Sequence, residues 1–263
     1  MPDAVAFSSA QLPTEHFNAR FSEDNLAFWV PILIDCAGIE AGHRVLDIGC
    51  GTGGFTRAIA DMASAIVTGI DISDRFIGFA RNAPVPQRGA VMWKVGSAES
   101  LPVSDGSFDR AVLSLVLHQL ANPRLAVTEA FRSLATDGRL VIRTVAPEDV
   151  ATRVPYRFFP SMSAVDTDRM PPLDQIEGWL KDAGFVATER RRVPRGKKLD
   201  LADEERKLVV EFGKRYSFIP EQERAAGLDL MRAEARASAA SWIDPRPTSF
   251  LVASKPEASS PNS

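Results

Sequence analysis

The sequence is poor in the residue types that build disulfide frameworks and metal sites. Its 263 residues include only two cysteines and three histidines. Cys36 and Cys50 cannot form a disulfide framework, and this scarcity predicts a reduced, cytoplasmic setting. No His, Cys and Asp residues have metal-ligand spacing, so we expect no metal. The composition therefore argues against a disulfide-stabilised secreted fold and against a zinc-type site.

Long apolar runs and concentrated charge are also absent. No stretch reaches membrane-spanning length, and nothing near Met1 joins a basic start to an apolar run, so we predict no membrane association and no signal peptide. The net charge is −3, which gives no basic field to recruit nucleic acid. We find no internal repeat, no paired carboxylates and no nucleophile elbow. The length suits one α/β domain with additions.

A glycine-rich segment joins a short apolar run to a helical pattern. Residues 45–48 predict a buried strand and residues 55–62 predict a helix. Between them, Gly49, Gly51 and Gly54 fit G-x-G-x-x-G, the dinucleotide fingerprint. Because glycine has no Cβ and tolerates positive φ, a ligand can approach bare backbone at such a turn. The glycines alone do not decide which ligand that is.

Asp47, two residues before the first glycine, favours a particular kind of ligand. A pyrophosphate would lie at the helix N-terminus, where anions are stabilised, and a carboxylate beside it would repel it. The same carboxylate would attract a ligand that carries an ammonium group and no phosphate. S-adenosylmethionine has this chemistry.

The segment Leu46-Asp47-Ile48-Gly49-Cys50-Gly51-Thr52-Gly53 resembles the first motif of the class I S-adenosylmethionine-dependent methyltransferases. The similarity extends over about residues 44–144 and is greatest to the ubiquinone/menaquinone-biosynthesis and small-molecule methyltransferases. The resemblance implies S-adenosyl-L-methionine as the cofactor and leaves the acceptor unspecified.

Two further segments match later motifs of the same family. Asp71 ends the second predicted strand, where an acidic residue can accept both ribose hydroxyls, although it could instead cap the next helix. By resemblance, Ile72 packs against the adenine ring. Ser97 stands where the family often has an aspartate that accepts the adenine amino group, and Ala98 offers its backbone N–H to the ring.

The predicted cofactor residues converge on one edge of the sheet. In a doubly wound sheet, ligands bind outside the carboxyl ends of the strands. The ends of the first four strands therefore place Gly49, Asp71, Ser97 and His118 around one crevice. The full predicted cofactor set is Asp47, Gly49, Cys50, Gly51, Gly53, Asp71, Ile72, Ser97, Ala98, Glu99 and Leu115.

The candidate catalytic residues are histidines. His118 follows the fourth strand and can carry a proton near neutral pH, so it is a candidate general base, with lining the pocket or contacting the cofactor as the alternative. His16 is a weaker candidate on the N-terminal segment. The resemblance places that segment over the cofactor. The predicted acceptor pocket comprises Phe17, Arg20, Phe21, Tyr156, Phe158 and Phe159, for which simple packing is the alternative.

The overall prediction is a doubly wound, seven-stranded, mostly parallel sheet whose last strand is antiparallel, as in the family. We expect an N-terminal helical lid over residues 1–43, a methyltransferase domain over 44–254 and a disordered tail over 255–263. Helical patterns at 202–216 and 221–240 predict a helical cap at about 194–247, between the last two strands. Arginine and lysine residues at 190–198 form a basic patch that we interpret as solvated, with contact to RNA, or to a phosphate or carboxylate on a small substrate, as the alternative.

Three classes of function remain compatible with the sequence. The first is an enzyme that methylates a small molecule, in specialised metabolism. The second is a methyltransferase that acts on RNA or protein, for which the chain shows no appended binding domain and no Asn/Asp-Pro-Pro-Tyr/Phe motif. The third is a protein that keeps the cofactor fold without catalysis. The oligomeric state is not predicted.

Overall fold

A computed structural model describes residues 21–213, 216–237 and 242–257, and its central feature is a seven-stranded sheet. The strands of the described residues are β1 (Arg44–Ile48), β2 (Ile66–Asp71), β3 (Ala90–Val95), β4 (Phe108–Ser114), β5 (Leu134–Thr144), β6 (Val186–Val193), β7 (Gly196–Leu199), β8 (Trp242–Pro245) and β9 (Thr248–Ser254). Of these, β7 and β8 form a separate two-stranded sheet. The sheet order is β3-β2-β1-β4-β5-β9-β6, and the pairs among β1 to β5 are parallel. The last strand is antiparallel, so the predicted sheet is confirmed.

Helices cover the segments between the strands. They are α1 (Glu23–Ala37), α2 (Gly54–Ala63), α3 (Asp74–Asn82), α4 (Pro123–Ser133), α5 (Pro147–Val150), α6 (Pro160–Asp168), α7 (Leu173–Ala183), α8 (Leu201–Phe212) and α9 (Glu221–Ala237). Local sequence explains several ends. The Ser73 hydroxyl accepts the Phe76 N–H at the start of α3, and Gly38 ends α1 with a φ of 58°.

The described residues fall into two compact units. Residues up to Thr144, Asp174–Arg191 and residues from Phe250 onward form the first unit. Its centre is β1, in which residues 45–48 are buried nearly completely, because both faces of the parallel sheet are covered by helices. This unit contains the carboxyl ends of β1, β2, β3 and β4.

Val145–Leu173 and Arg192–Ser249 form the second unit. Its core is built by aromatic and apolar side chains from α6, α8, α9 and the 3-10 turn Val154–Arg157, which precedes α6. The helices that the sequence predicts at 202–216 and 221–240 are observed as α8 and α9. The unit also contains an antiparallel pair, β7 with β8, that the sequence did not indicate. Its two strands are distant in the chain, so no hairpin turn signals the pairing.

Candidate cofactor and acceptor site

The turn after β1 is tightly constrained by its glycines. Gly49, Gly51 and Gly53 have φ values of 76°, 56° and 78°, a region that side chains rarely adopt. A Cβ on Gly49 would lie 2.5 Å from Val116 Cγ2. Among the described residues, only Phe21 Cζ, at 3.8 Å, would come within 4 Å of a Cβ added at Gly51. The backbone at Gly51 is therefore open to a ligand, which fits the predicted cofactor turn.

Asp47 lies at the end of β1 with its side chain almost completely buried. Its Oδ2 accepts a hydrogen bond from the Thr56 hydroxyl at 2.6 Å, which links the strand to α2. A carboxylate has about four acceptor positions, so this bond leaves capacity for further donors. Such a buried negative charge suits a cationic group and opposes a phosphate.

Cys50, between the two glycines, is buried beside two carboxylates. Burial, and then the charges of Asp47 and Asp71, raises the pKa of the Cys50 thiol. The side chain is therefore a neutral thiol at physiological pH. It acts as a small packing residue, with its Sγ 2.9 Å from where a Cβ on Gly69 would lie.

Asp71 joins the end of β2 to the glycine turn. One carboxylate oxygen accepts the Gly51 N–H at 2.8 Å, and the other accepts the Ser73 N–H at 2.9 Å. The N-cap of α3 is Ser73 itself, so capping that helix does not explain Asp71. The carboxylate is half-buried and lies beside the open backbone of Gly51. This position agrees with the predicted ribose contact, which stays a prediction.

The turn after β3 is held by its own polar side chains. The Ser97 Oγ accepts the Glu99 N–H at 3.1 Å, and the Glu99 carboxylate accepts the Asn122 N–H at 2.9 Å. Ala98 between them is buried. Ile72, at the end of β2, leaves 69% of its side chain exposed. An exposed apolar side chain at a strand end can stack against a ring. The adenine contacts of Ile72, Ser97 and Ala98 stay predictions.

The turn after β4 contains a strained residue. Leu115 has a φ of 58°, and its N–H donates to the Arg143 carbonyl at 2.8 Å. A left-handed conformation costs a leucine about 1–2 kcal/mol, and such strain occurs preferentially at functional sites. The chain then forms a 3-10 turn, Leu117–Gln119, with His118 half-buried in it. His118 lies just after the carboxyl end of β4, as predicted, and its role as a general base stays a prediction.

Arg143 is a residue of this region that the sequence analysis did not identify. It is 5% exposed at the end of β5, and its guanidinium lies 4.1 Å from the Trp29 ring centroid and 5.4 Å from that of Phe55. Its Nη1 is 3.4 Å from the Ser114 Oγ. The one available signal was a charged residue inside the apolar run of β5. A buried cation stacked between aromatic rings is a fixed positive charge near the turn after β4.

Phe21 is the predicted pocket residue of the N-terminal segment that the structure describes. Its ring lies 5.9 Å from the Phe55 ring, and it packs so closely that a Cβ on Gly54 would approach it to 2.5 Å. It therefore covers the start of α2, beside the glycine turn. His16, Phe17 and Arg20 lie outside the described residues, and their roles stay predictions.

The structure surrounds three residues of the predicted acceptor pocket, Tyr156, Phe158 and Phe159, with other side chains. All three are at most 7% exposed and belong to the apolar core of the second unit. The Tyr156 hydroxyl donates to the buried Asp166 at 2.5 Å, and Phe159 packs edge-on against Phe212. Their surroundings favour the packing alternative, because neighbours from the same unit already cover them. We therefore omit them from the proposed pocket.

Two other features, a metal-binding group of side chains and a membrane-spanning helix, are absent from the described part of the chain. No three or more His, Cys, Asp or Glu side chains gather there in a way that could hold a metal ion. No helix in residues 21–213, 216–237 or 242–257 is long and apolar enough to span a membrane.

Known proteins resemble the chain in both sequence and fold. Residues 46–142 match the family model described as "Methyltransferase domain". A ubiquinone/menaquinone biosynthesis C-methyltransferase of Vibrio campbellii is 30% identical over 210 residues, which cover 71% of this chain and 81% of that protein. A demethylmenaquinone methyltransferase of Tropheryma whipplei is 37% identical over 116 residues, 44% of this chain, and the chain spans about half of its length, 47%.

A solved structure shows the same fold at lower identity. It is a methyltransferase from an antibiotic biosynthesis pathway of Anabaena variabilis, with a TM-score of 0.63 and 22% identity. The superposition covers 86% of this chain and 96% of that one. The glycine turn, the two strand-end carboxylates and the sheet order agree with the similarity to the Vibrio campbellii enzyme. The chain therefore belongs to the class I S-adenosylmethionine-dependent methyltransferases, in their ubiquinone/menaquinone-biosynthesis-like group.

Proposed function

We propose that the protein transfers a methyl group from S-adenosylmethionine to a small-molecule acceptor. The observation that carries the proposal is the pairing of an open glycine backbone at Gly51 with carboxylates at Asp47 and Asp71. This arrangement suits a ligand with cationic groups and a ribose, and it opposes a pyrophosphate. Membership of the family supports the same cofactor.

The bound cofactor would supply an electrophilic methyl on a sulfonium, which loses its positive charge as the methyl moves to the acceptor. In this proposal Asp47 and the turn from Gly49 to Gly53 hold the methionine end. Asp71 accepts the ribose hydroxyls, and Ile72 packs against the adenine. These residues contribute by positioning, because orienting two reactants replaces an encounter in solution with a preorganised one.

His118 is proposed as the base that takes a proton from the acceptor, with pocket lining as the alternative. General-base catalysis contributes about 10²–10⁴-fold to a rate. We expect His118→Ala to lower turnover by that order while cofactor affinity stays within about threefold. If turnover and affinity fall together, His118 contacts the cofactor and is not the base.

The identity of the methionine site is tested by comparing two aspartates. Asp47→Ala should weaken cofactor binding by at least tenfold in calorimetry, because it removes the carboxylate that suits the ligand's ammonium group. Asp61→Ala is the matched control, since Asp61 lies on the following helix, where its carboxylate accepts the exposed Arg88 N–H. Equal affinities in the two variants would remove Asp47 from the site.

The class of acceptor is proposed from the relatives. The two curated relatives are named for methyl transfer in quinone biosynthesis, so we propose a small, largely apolar biosynthetic intermediate. Action on RNA or protein is the second candidate, and a cytoplasmic location stays a prediction. The protein should be incubated with cell extract and labelled S-adenosylmethionine, and the label sorted by size. Label in the small-molecule fraction supports the proposal, whereas label in RNA or protein supports the alternative.

A further inference from the structure

The second unit contains a set of cationic side chains on one face of its small sheet. In the β7–β8 pair, Lys197 lies opposite Asp244 and Leu199 lies opposite Trp242. Directly opposed residues of an antiparallel pair project from the same face. Leu199 and Trp242 belong to the apolar core of this unit, so Lys197 and Asp244 project from the face that is turned towards that core.

Asp244 is the negative centre of this face. It is fully buried, and its Oδ1 accepts the Val154 N–H at 2.7 Å. Its Oδ2 accepts the Arg246 Nε–H at 2.5 Å, and the Arg153 Nε lies 3.6 Å from the same oxygen. The Arg153 Nε is buried, and within the part of the chain that the structure describes it has no hydrogen-bond partner. Two guanidiniums, those of Arg153 and Arg246, thus lie beside the Asp244 carboxylate, and Lys197 projects from the same face of the small sheet. We call Arg153, Lys197 and Arg246 the cation cluster.

Other cations act on Lys197 and Arg246, whereas the carboxylates of Asp244 and Glu204 act on Arg153. Burial, and then the neighbouring Arg246, lowers the pKa of Lys197. Burial, and then Arg153, lowers the pKa of Arg246. Glu204 is close enough to act on these groups, but its carboxylate lies 3.6 Å from Lys207 Nζ, which brings a further positive charge. Like charges held together at the edge of a core are costly unless an opposite charge joins them.

The rest of the basic segment behaves differently. Arg190 donates to Asp174 and Glu177, and Arg192 donates to Asp149 at 2.6 Å. These arginines have carboxylates of their own, as expected for a solvated basic patch. In the cation cluster, by contrast, two guanidiniums share the single carboxylate of Asp244, and Arg246, Lys207 and Arg195 act on Lys197. Arginine forks match the geometry of carboxylate and phosphate oxygens.

We propose that the cation cluster of the second unit binds the oxyanion group, a carboxylate or a phosphate, of a small ligand. Arg153 and Arg246 are each 32% exposed and Lys197 is exposed, so a ligand can reach all three from solvent. The ligand would supply a negative charge to Lys197 and to the guanidinium of Arg246, on which other cations act. The cation cluster shares no residue with the proposed cofactor site, and the proposal does not depend on methyl transfer.

The chain offers a matched pair of variants for the test. Lys197→Gln removes one charge from the cation cluster. Lys198→Gln removes the same charge from the next residue, which lies opposite Ile243 on the other face of β7. Both lysines are exposed, so neither variant should alter folding, and the melting temperature without ligand checks this. Arg246→Lys keeps the charge near Asp244 and tests the guanidinium fork without leaving that carboxylate unpaired.

The full chain should be titrated by calorimetry with inorganic phosphate and separately with malonate, in chloride buffer at constant ionic strength. We expect saturable binding of at least one of the two anions, weakened about tenfold or more by Lys197→Gln and less than twofold by Lys198→Gln. Phosphate alone would identify a phosphate ligand, and malonate alone a carboxylate. Absence of saturation by both anions, or equal effects of the two lysine variants, would overturn the proposal. Either failure would leave the methyltransferase proposal intact.

Discussion

Asp71 gives the sharpest test of the cofactor site, because its carboxylate also holds the glycine turn through Gly51. Its carboxylate already accepts the Gly51 and Ser73 N–H groups at 2.8 and 2.9 Å. Hydrogen bonds to a charged group contribute about 1.5–3 kcal/mol each. Since water can replace part of this at a half-buried site, we expect Asp71→Ala to lower the free energy of unfolding by about 2–3 kcal/mol. Urea denaturation followed by circular dichroism would measure the loss.

The same substitution should weaken cofactor binding for two separable reasons. Loosening the glycine turn affects every ligand, whereas losing the ribose contacts affects only a ligand with ribose hydroxyls. The measurement is calorimetry of wild type and Asp71→Ala with S-adenosylhomocysteine and with its analogue that lacks both hydroxyls. In such a cycle the loop effect cancels and the ribose contact remains as the coupling. Two charge-assisted bonds predict a coupling of at least tenfold.

The reasoning is refuted if both ligands lose the same affinity in the variant. A coupling within twofold of unity would mean that Asp71 only supports the glycine turn and that another group contacts the ribose. A loss of stability without any loss of cofactor affinity would also contradict the proposed position of the ligand beside Gly51.

Two further predictions concern stability. Gly49→Ala should destabilise the fold by about 2–4 kcal/mol, because a positive φ is combined with a Cβ 2.5 Å from Val116 Cγ2. Gly42 has a φ of 81°, and no atom of the described residues lies within 4 Å of a Cβ added there, so Gly42→Ala should cost only about 1–2 kcal/mol. Equal losses in the two variants would contradict the proposed clash. Arg132, hydrogen-bonded to Glu129, holds the pKa of that carboxyl below its ordinary range. The pair's stabilisation is therefore present above the ordinary glutamate pKa of about 4.3 and is lost as the pH falls below it. Arg132→Gln should flatten the stability–pH curve between about pH 4.5 and 3, and parallel curves would refute the assignment.

Local chemistry explains what the sequence could predict. The positive φ values at Gly49, Gly51 and Gly53 follow from the glycines themselves. The helix caps at Ser73 and Asn122 form because each side chain accepts the backbone N–H three residues ahead. Strands and helices of the sheet follow from short-range apolar patterns. In these cases the partner groups are neighbours in the chain, so the sequence around them is sufficient.

Side-chain direction within the second unit could not be predicted in this way. The run at 156–159 is aromatic and irregular in sequence, which fits a lid as well as a core. Its burial depends on Phe212 and Met231, which come from helices more than 50 residues later. A pattern shows that a side chain is apolar, but the surface that covers it is set by elements distant in the chain.

Local sequence is enough to predict the cofactor turn, because glycine geometry and the carboxylate at Asp47 act within a few residues. Contacts between distant segments had to be seen in the fold: Asp71 holds Gly51, Arg143 is buried against Trp29, and β7 pairs with β8. The same holds for the basic segment, where composition is uniform but Lys197 meets other cations while Arg192 meets a carboxylate. Charge balance and packing are properties of groups brought together across the fold, and the linear sequence does not contain their distances.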